Sequence, residues 1–250
     1  MSETPTLPAK LLALADDEYL LGHRDSEWCG HAPILEEDIA FANIAQDELG
    51  HAILWLNALK DITGDDPDRL IFFRSPADWR NAQLCELPKG DWAFTIVRQY
   101  LFDAYELARL TETVNSAHKP IAEISIKIRP EEIYHYRHTS NWVKRLGLGT
   151  EESNQRTQAA LDSLWAYALQ LFVPLPGEAE LVDANIVPDP ATLRAAWEAT
   201  VVPWLTGAGL SIPISAQPMA ISREGHTEHL ITLLAEMQEV ARIEGPDVKW

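Results

Sequence analysis

Apolar residues recur at steps of three and four positions along most of the chain, which is the period of an amphipathic α-helix. Segments in which apolar and polar residues alternate, as they do in half-buried strands, are scarce. The pattern predicts four long helices before residue 150. Their sequences are LPAKLLALADDEYLLGH, LEEDIAFANIAQDELGHAILWLNAL, WAFTIVRQYLFDAYELARLTETV and AEISIKIRPEEIYHYRHTSNWVKRL.

Two short breaks and one long break separate these helices. Residues 30–33 (GHAP) and 118–120 (HKP) are short enough to join antiparallel helices in a hairpin. Residues 64–92 carry three prolines and two glycines, which predicts a long crossover. Two hairpins joined by one long crossover are typical of ferritin-like bundles. We therefore predict an all-α, ferritin-like four-helix bundle over residues 8–147.

The remainder of the chain continues the helical pattern. With 250 residues, of which 46% are apolar, the chain can form one large core or two modest ones. We interpret residues 1–250 as a single domain, in which residues 151–250 are a helical extension packed on the bundle; a small second subdomain is the alternative. The predicted C-terminal helices are EESNQRTQAALDSLWAYALQLF, DPATLRAAWEATVVPWL and HTEHLITLLAEMQEVARI.

Charge and composition reduce the range of expected functions and partners. The chain has 38 acidic and 20 basic side chains, and its formal net charge of −18 opposes attraction to phosphate backbones and anionic lipid. Nucleic acid and membranes are therefore not expected as partners. No segment approaches the roughly 20 apolar residues of a membrane span, and no secretory signal pattern is evident. Cys29 and Cys85 form neither a CxxC pair nor a disulfide framework. We expect a soluble, cytoplasmic protein.

Two Glu-x-x-His pairs interrupt otherwise apolar helices. Residues three apart share one helix face, so Glu48 can act with His51, and Glu132 with His135. Such pairs supply metal ligands in di-iron carboxylate bundles. One such pair is weak evidence, because about one match is expected by chance in a chain this rich in glutamate. The more specific requirement is an acid opposite each pair on the neighbouring helix.

Acids stand at the required positions in both hairpins. In a symmetric hairpin, residues equally far from the turn lie at the same level. Glu18 mirrors Glu48 about the first turn, and Asp103 mirrors Glu132 about the second. Together with His51 and His135, these residues supply the four carboxylates and two imidazoles that two metal ions require at a bundle centre. We predict that all six side chains converge on one metal-sized site.

Individual members of this set have alternatives. Glu18 follows Asp16 and Asp17, and such an acidic run is often a solvated helix face. Asp103 lies among aromatic and aliphatic residues, where an unpaired carboxylate would be costly to bury. Glu106, one turn later, is a rival for the third-helix ligand, and mirror symmetry is the sequence reason for preferring Asp103.

The fourth helix carries two further features that affect the prediction. Pro130 lies two residues before Glu132, and a proline inside a helix removes a hydrogen bond and bends the axis. We therefore expect the helix to restart or bend near its ligands, which makes Glu132 the least secure of the six. His138 lies one turn beyond His135 and is predicted to be a supporting or surface residue.

Several motifs give the chain a family resemblance. It resembles the phenylacetyl-CoA epoxidase (ring 1,2-oxygenase) family over nearly its whole length, and the two C-terminal motifs are similar to those of the structural partner subunit rather than the catalytic one. The motifs are EWCGHAP at 27–33, DIAFANIAQDELGHA at 38–52, VRQYLFDA at 97–104, DPATLRAAWEA at 189–199 and HTEHLITLLAEMQ at 226–238.

The resemblance implies a multicomponent oxygenase. A catalytic di-iron subunit pairs with a homologous ferritin-like partner, and the system is completed by a flavin and iron–sulfur reductase together with a small accessory subunit. The complex inserts one oxygen atom from O2 into the ring of phenylacetyl-CoA during phenylacetate breakdown. We thus expect a hetero-oligomer, with a homodimer as an additional arrangement, and the catalytic partner to supply most of the CoA site.

The resemblance also implies that the partner subunit has lost its metal ligands, whereas QDELGH and EEIYH in this chain look like the catalytic subunit's motifs. A di-iron cofactor is therefore an expectation whose occupancy stays open. The alternative function is a di-iron oxygenase or oxidase in its own right. A third hypothesis, a ferritin-like oxidase or metal-storage protein, is disfavoured by the C-terminal motifs.

Overall fold

The computed structural model describes residues 6–213 and 216–246. These residues form ten α-helices and two short 3₁₀ turns and contain no β-strand, so the predicted all-α class is confirmed. None of these helices has the length and hydropathy needed to cross a bilayer. The helices are α1 (Thr6–Ser26), α2 (Leu35–Thr63), α3 (Pro67–Phe72), α4 (Gln83–Glu86), α5 (Trp92–Thr113), α6 (Lys119–Gly147), α7 (Glu151–Leu169), α8 (Glu178–Asp183), α9 (Pro190–Gly207) and α10 (Glu228–Glu244).

Helices α1, α2, α5 and α6 form the four-helix bundle. The hairpin of α1 and α2 and the hairpin of α5 and α6 are the two most extensive helix pairs, and α2 also packs beside α6. Asp47 contacts His135 while His51 contacts Glu131, so α2 and α6 run antiparallel. The predicted ferritin-like arrangement is confirmed, with α3 and α4 inside the long crossover.

Local sequence signals set the ends of the bundle helices. The Asp91 side chain accepts a hydrogen bond from the backbone N–H of Phe94 at 2.9 Å and caps the start of α5. Gly64 adopts a left-handed conformation with φ of 81°, and its N–H donates to the carbonyl of Lys60 at the end of α2. A residue with a Cβ is strained in that conformation, which explains glycine at this position.

The acidic run at the middle of α1 is buried rather than solvated. Asp16 accepts hydrogen bonds from the Arg74 side chain and from the Arg80 backbone N–H, at 2.9 and 2.8 Å. Asp17 accepts from the backbone N–H of Ala82 at 2.6 Å. Both acids therefore hold the crossover against α1. Because Asp16, Asp17 and Glu18 are all buried, the alternative that this run forms a solvated helix face is wrong.

The C-terminal helices extend the bundle core. Helices α7 and α9 pack on α5, and one buried cluster combines bundle residues with residues of α7, α9 and α10. The Trp197 indole N–H donates to the carbonyl of Leu101 at 3.1 Å, and its ring lies 5.0 Å from that of Trp165. This shared core supports the single-domain organisation, which stays a prediction. Residues 214–215 and 247–250 of the predicted extension lie outside the described residues.

Two details of the helices differ from expectation. Helices α3, α4 and α8 were not predicted, because their four to six residues are too few to show a helical period. The restart expected at Pro130 is wrong: α6 continues through it from Lys119 to Gly147. Pro130 has no N–H to donate to the carbonyl of Ile126, four residues earlier. Both residues lie on the exposed side of α6, where water can hydrogen-bond to that carbonyl.

The close approach of α1 and α2 can be tested with two glycines. A Cβ added to Gly22 would lie 3.0 Å from the carbonyl oxygen of Ala45 and 3.0 Å from the Cβ of Glu48, whereas one added to Gly50 would meet no heavy atom within 4 Å. We expect Gly22→Ala to lower the free energy of unfolding by about 1–3 kcal/mol through overpacking. The matched Gly50→Ala variant should raise it by about 0.5–1 kcal/mol, because alanine favours the helix. Denaturant unfolding measures both, and equal stability of the two variants would contradict the packing.

Candidate metal centre

Six polar side chains meet inside the bundle where an apolar core would be expected. Each has a relative exposure of 2% or less. They form two groups that share Glu48, and within each group one ligand atom per residue lies within 4.8 Å of the others. The structure therefore brings together all six residues singled out from the sequence. The groups are Glu18, Glu48 and His51, and Glu48, Asp103, Glu132 and His135.

The two histidines are oriented with Nδ1 toward the centre and Nε2 away from it. His51 Nδ1 lies 3.5 Å from Glu132 Oε1, and His135 Nδ1 lies 3.0 Å from the same atom. On the outer side, His51 Nε2 is 2.7 Å from Glu131, and His135 Nε2 is 3.2 Å from Asp47. A carboxylate at Nε2 favours a proton there, which leaves His51 Nδ1 free to bind a metal, whereas a metal at His135 Nδ1 would replace its contact with Glu132.

Several inward-facing acceptors have no hydrogen-bond partner among the protein atoms. Glu18 Oε1 accepts from the Trp55 indole N–H at 2.9 Å, but Glu18 Oε2 accepts from nothing. The same is true of Oε2 in both Glu48 and Glu132, and His51 Nδ1 likewise has no partner. Buried acceptors without partners are costly. A cation among them would remove that cost, so the donor set fits a metal.

Asp103 is the carboxylate whose two oxygens are both occupied. The Gln99 side-chain amide donates to Asp103 Oδ1 and to Glu48 Oε1, at 2.9 Å each. The Thr139 hydroxyl donates to Asp103 Oδ2 at 2.6 Å. Gln99 and Thr139 are fully buried, so neither hydrogen bond competes with bulk water.

Like charges and burial disfavour ionisation of most of the carboxylates. Burial, followed by repulsion from Glu132, raises the pKa of Glu48 to about 8. Burial also raises the pKa of Glu18 and Asp103 well above their usual values, with neighbouring carboxylates adding to the effect. In the absence of metal, protons therefore compete for these oxygens, and metal binding would release them.

Glu132 and His135 form the exception, because they act as a buried ion pair. Burial alone would raise the pKa of Glu132, but His135 acts oppositely, and with His51 and Arg109 it brings that pKa below the ordinary value. Burial alone would lower the pKa of His135, but Glu132, with Asp47, outweighs it and holds that pKa well above the usual range.

The rival ligand, Glu106, lies outside both groups and is engaged elsewhere. Its carboxylate forms a two-pronged ion pair with Arg109, three residues later, in which Arg109 Nε donates to Oε1 at 3.1 Å. The guanidinium lies 5.1 Å from the centroid of the Trp55 ring and 3.5 Å from Glu18. Arg109 thus neutralises Glu106 and places positive charge beside Glu18.

Other residues contribute to the centre and were not singled out from the sequence. Asp47 and Glu131 each stand four positions before a histidine of the set, but each contacts the histidine of the other helix, so this spacing does not identify the partner. Gln99 and Thr139 stand four residues from Asp103 and His135 and share their helix faces, but the spacing alone does not single them out. His138 lies apart and bonds Glu37 at 2.9 Å.

The fold and this cluster together define a class. All four helices of the ferritin-like bundle present carboxylates or histidines to one buried point. This is the architecture of a di-metal carboxylate protein.

The chain belongs to the family described as "Phenylacetic acid catabolic protein", whose model matches residues 2–250. It is 41% identical over 239 residues to one subunit of the 1,2-phenylacetyl-CoA epoxidase of Escherichia coli (strain K12), designated C; the match covers 95% of this chain and 96% of the relative. It is also 25% identical over 150 residues to another subunit of that enzyme, designated A, over 60% of this chain and 48% of the relative. These two relatives are called the C-type and A-type chains below.

The role of Arg109 can be tested by a double-mutant cycle with Glu106. Arg109→Met leaves a buried carboxylate without its cation, so the free energy of unfolding should fall by about 3–5 kcal/mol. Adding Glu106→Gln removes that unpaired charge, and the double variant should recover much of the loss. Arg156→Met, in an exposed pair with Glu152, should change stability by less than about 1 kcal/mol. Strictly additive losses in the cycle would contradict the pairing.

The cost of the unpartnered carboxylates gives another prediction. In metal-free protein, Glu48→Gln removes a buried acid that has one oxygen without a partner and other carboxylates nearby. We expect the free energy of unfolding at neutral pH to rise by about 1–2 kcal/mol, as is common when a residue placed for function is neutralised. Glu36→Gln, at an exposed position of the same helix, should change it by less than about 0.5 kcal/mol. Marked destabilisation of metal-free Glu48→Gln, measured in denaturant, would show that the carboxylate supports the fold instead.

Proposed function

We propose that this chain is the partner subunit of a phenylacetyl-CoA epoxidase and supports a homologous catalytic subunit during aerobic phenylacetate breakdown. The observation that carries the proposal is the 41% identity to the C-type chain, which extends over almost the whole of both proteins. The match to the A-type chain is weaker and covers about half of that protein. Sequence similarity of this chain to both kinds of chain is consistent with a pair of related subunits that pack together.

In this proposal, buried residues at the bundle centre would also bind metal within this chain. Glu18, Glu48 and His51 would hold one ion, and Glu48, Asp103, Glu132 and His135 would hold the other. Bound iron would supply redox chemistry with O2. The chain's own residues exclude water from the site and hold the histidines through Glu131 and Asp47.

The remaining components follow from the same proposal. A chain with a net charge of −18 is poorly suited to bind the phosphates of CoA by itself, since that needs clustered Lys and Arg side chains. The catalytic subunit then supplies most of the substrate site. A reductase delivers the electrons, and with a small accessory subunit it completes the cytoplasmic complex.

A second candidate function has one specific observation in its favour. The six-residue carboxylate and histidine set is intact and buried, which is the arrangement expected of a di-iron oxygenase or oxidase acting in its own right. Activity of the chain without its partner separates this candidate from the first.

Reconstitution tests the proposed function. The iron-loaded chain, supplied with reductase and phenylacetyl-CoA, should form no epoxide alone, and it should co-purify with the A-type chain of its own organism. In the complex, replacing the metal-binding Glu or His residues of the catalytic subunit should abolish turnover, whereas Glu48→Ala or His51→Ala here should lower it by less than about tenfold.

The controls are the exposed variants Glu36→Ala and Gln46→Ala on the same helix, which should leave complex formation and turnover unchanged. Epoxide formation by the isolated chain would overturn its role as a partner subunit, in favour of the second candidate. Failure to bind the A-type chain would refute that role directly.

A further inference from the structure

The two halves of the metal centre are not equivalent. We propose that the Glu18–Glu48–His51 half binds the first divalent metal ion and that Gln99 keeps the Asp103–His135 half closed, so that a second ion binds more weakly. This inference rests on the metal-binding part of the proposed function.

The first half has free ligand atoms that are already held in place. Glu18 Oε2 and His51 Nδ1 lie 3.8 Å apart, and neither has a hydrogen-bond partner. Their opposite ends are fixed, since Trp55 donates to Glu18 Oε1 and Glu131 contacts His51 Nε2. An ion entering this half displaces no protein hydrogen bond, and the side chains need little rearrangement.

The unpartnered oxygens of Glu48, which both groups share, and of Glu132 bear on this asymmetry. Oε2 of Glu48 and Oε2 of Glu132 also have no partner. In Glu48 the other oxygen, Oε1, is the one that Gln99 occupies. The acceptors left for a first ion are therefore those that Gln99 does not reach.

The second half is closed by hydrogen bonds that a metal would have to break. One amide nitrogen of Gln99 donates to both Glu48 Oε1 and Asp103 Oδ1, at 2.9 Å each. Thr139 occupies Asp103 Oδ2, and Glu132 Oε1 pairs with His135 Nδ1 at 3.0 Å. An ion that binds Asp103 Oδ1 and Glu48 Oε1 must move the amide and leave its N–H groups buried without acceptors.

The orientation of the Gln99 amide follows from its surroundings. Two carboxylate oxygens converge on the same atom of the side chain, and only the NH2 end can donate to both. The reverse orientation would place the amide oxygen against two carboxyl oxygens, from which it could accept a hydrogen bond only if they carried protons. The amide oxygen has no partner in the observed orientation, so the two carboxylates alone determine which way the side chain points.

Titration of the metal-free, full-length chain with Mn2+ tests the proposal. Calorimetry measures the number of ions and their affinities, and electron paramagnetic resonance distinguishes isolated from spin-coupled ions. The wild-type protein should bind one ion tightly and a second at least about tenfold more weakly, which is the effect expected of one or two broken buried hydrogen bonds. Gln99→Met should reduce the ratio between the two Mn2+ affinities about tenfold. It should also give a spin-coupled signal at two Mn2+ ions per chain.

Three variants make the result specific. Glu18→Gln should remove the tight ion and leave the weak one. Gln46→Met makes the same chemical change at an exposed site of α2 and should leave both affinities unchanged. If circular dichroism shows that Gln99→Met does not fold, Gln99→Ala replaces it with the same expectation.

Equal affinity for two ions in the wild-type protein would overturn the proposal, as would an unchanged second affinity in a folded Gln99 variant. Survival of the tight ion in Glu18→Gln would also overturn it. If neither wild-type nor Gln99 variants bind Mn2+, both this inference and the metal-binding role fail. The role as a partner subunit is judged separately, by association with the A-type chain.

Discussion

Four carboxylates buried within one small space are the constraint on which the rest of this structure depends. Such a cluster cannot be fully ionised in a low-dielectric core, so each member needs a proton, a cation or hydrogen-bond donors. Different side chains of the protein stabilise these carboxylates. His135 pairs with Glu132, Gln99 bridges Glu48 and Asp103, and Glu18 lies beside the guanidinium of Arg109.

The surrounding fold holds these groups in register. The run of three acids on α1 is divided between two tasks, since Asp16 and Asp17 attach the crossover while Glu18 faces the centre. Gly22 lets α1 approach α2 closely at the level of Glu48. The C-terminal helices cover the far side of α5 with the large side chains of Trp165 and Trp197, which keep that helix buried nearly all round.

The sequence predicted the bundle and the six central residues because both follow from spacing. Helical period, two short turns and one long crossover leave few alternatives, and mirror positions about each turn identify Glu18 and Asp103. The prediction of individual site residues was weaker where their neighbours in the folded structure decide which side chains face the centre. The choice between Asp103 and Glu106 depended on Arg109, which stands three residues after Glu106 in the sequence, but that spacing alone does not show that the pair is buried and directed away from the centre. Gln99 was missed because α5 is buried on almost every side, so no apolar stripe shows which of its polar residues face inward.

The central claim is that these side chains form a metal site rather than a buried polar network. Anomalous X-ray diffraction at the iron edge, from crystals of the chain purified or loaded anaerobically with iron, tests it most directly. We predict an anomalous peak about 2 Å from carboxylate oxygens and histidine Nδ1 atoms of the six residues. The absence of any peak there from iron-loaded protein, with the hydrogen bonds of Gln99 and the ion pair of Glu132 intact, would contradict it.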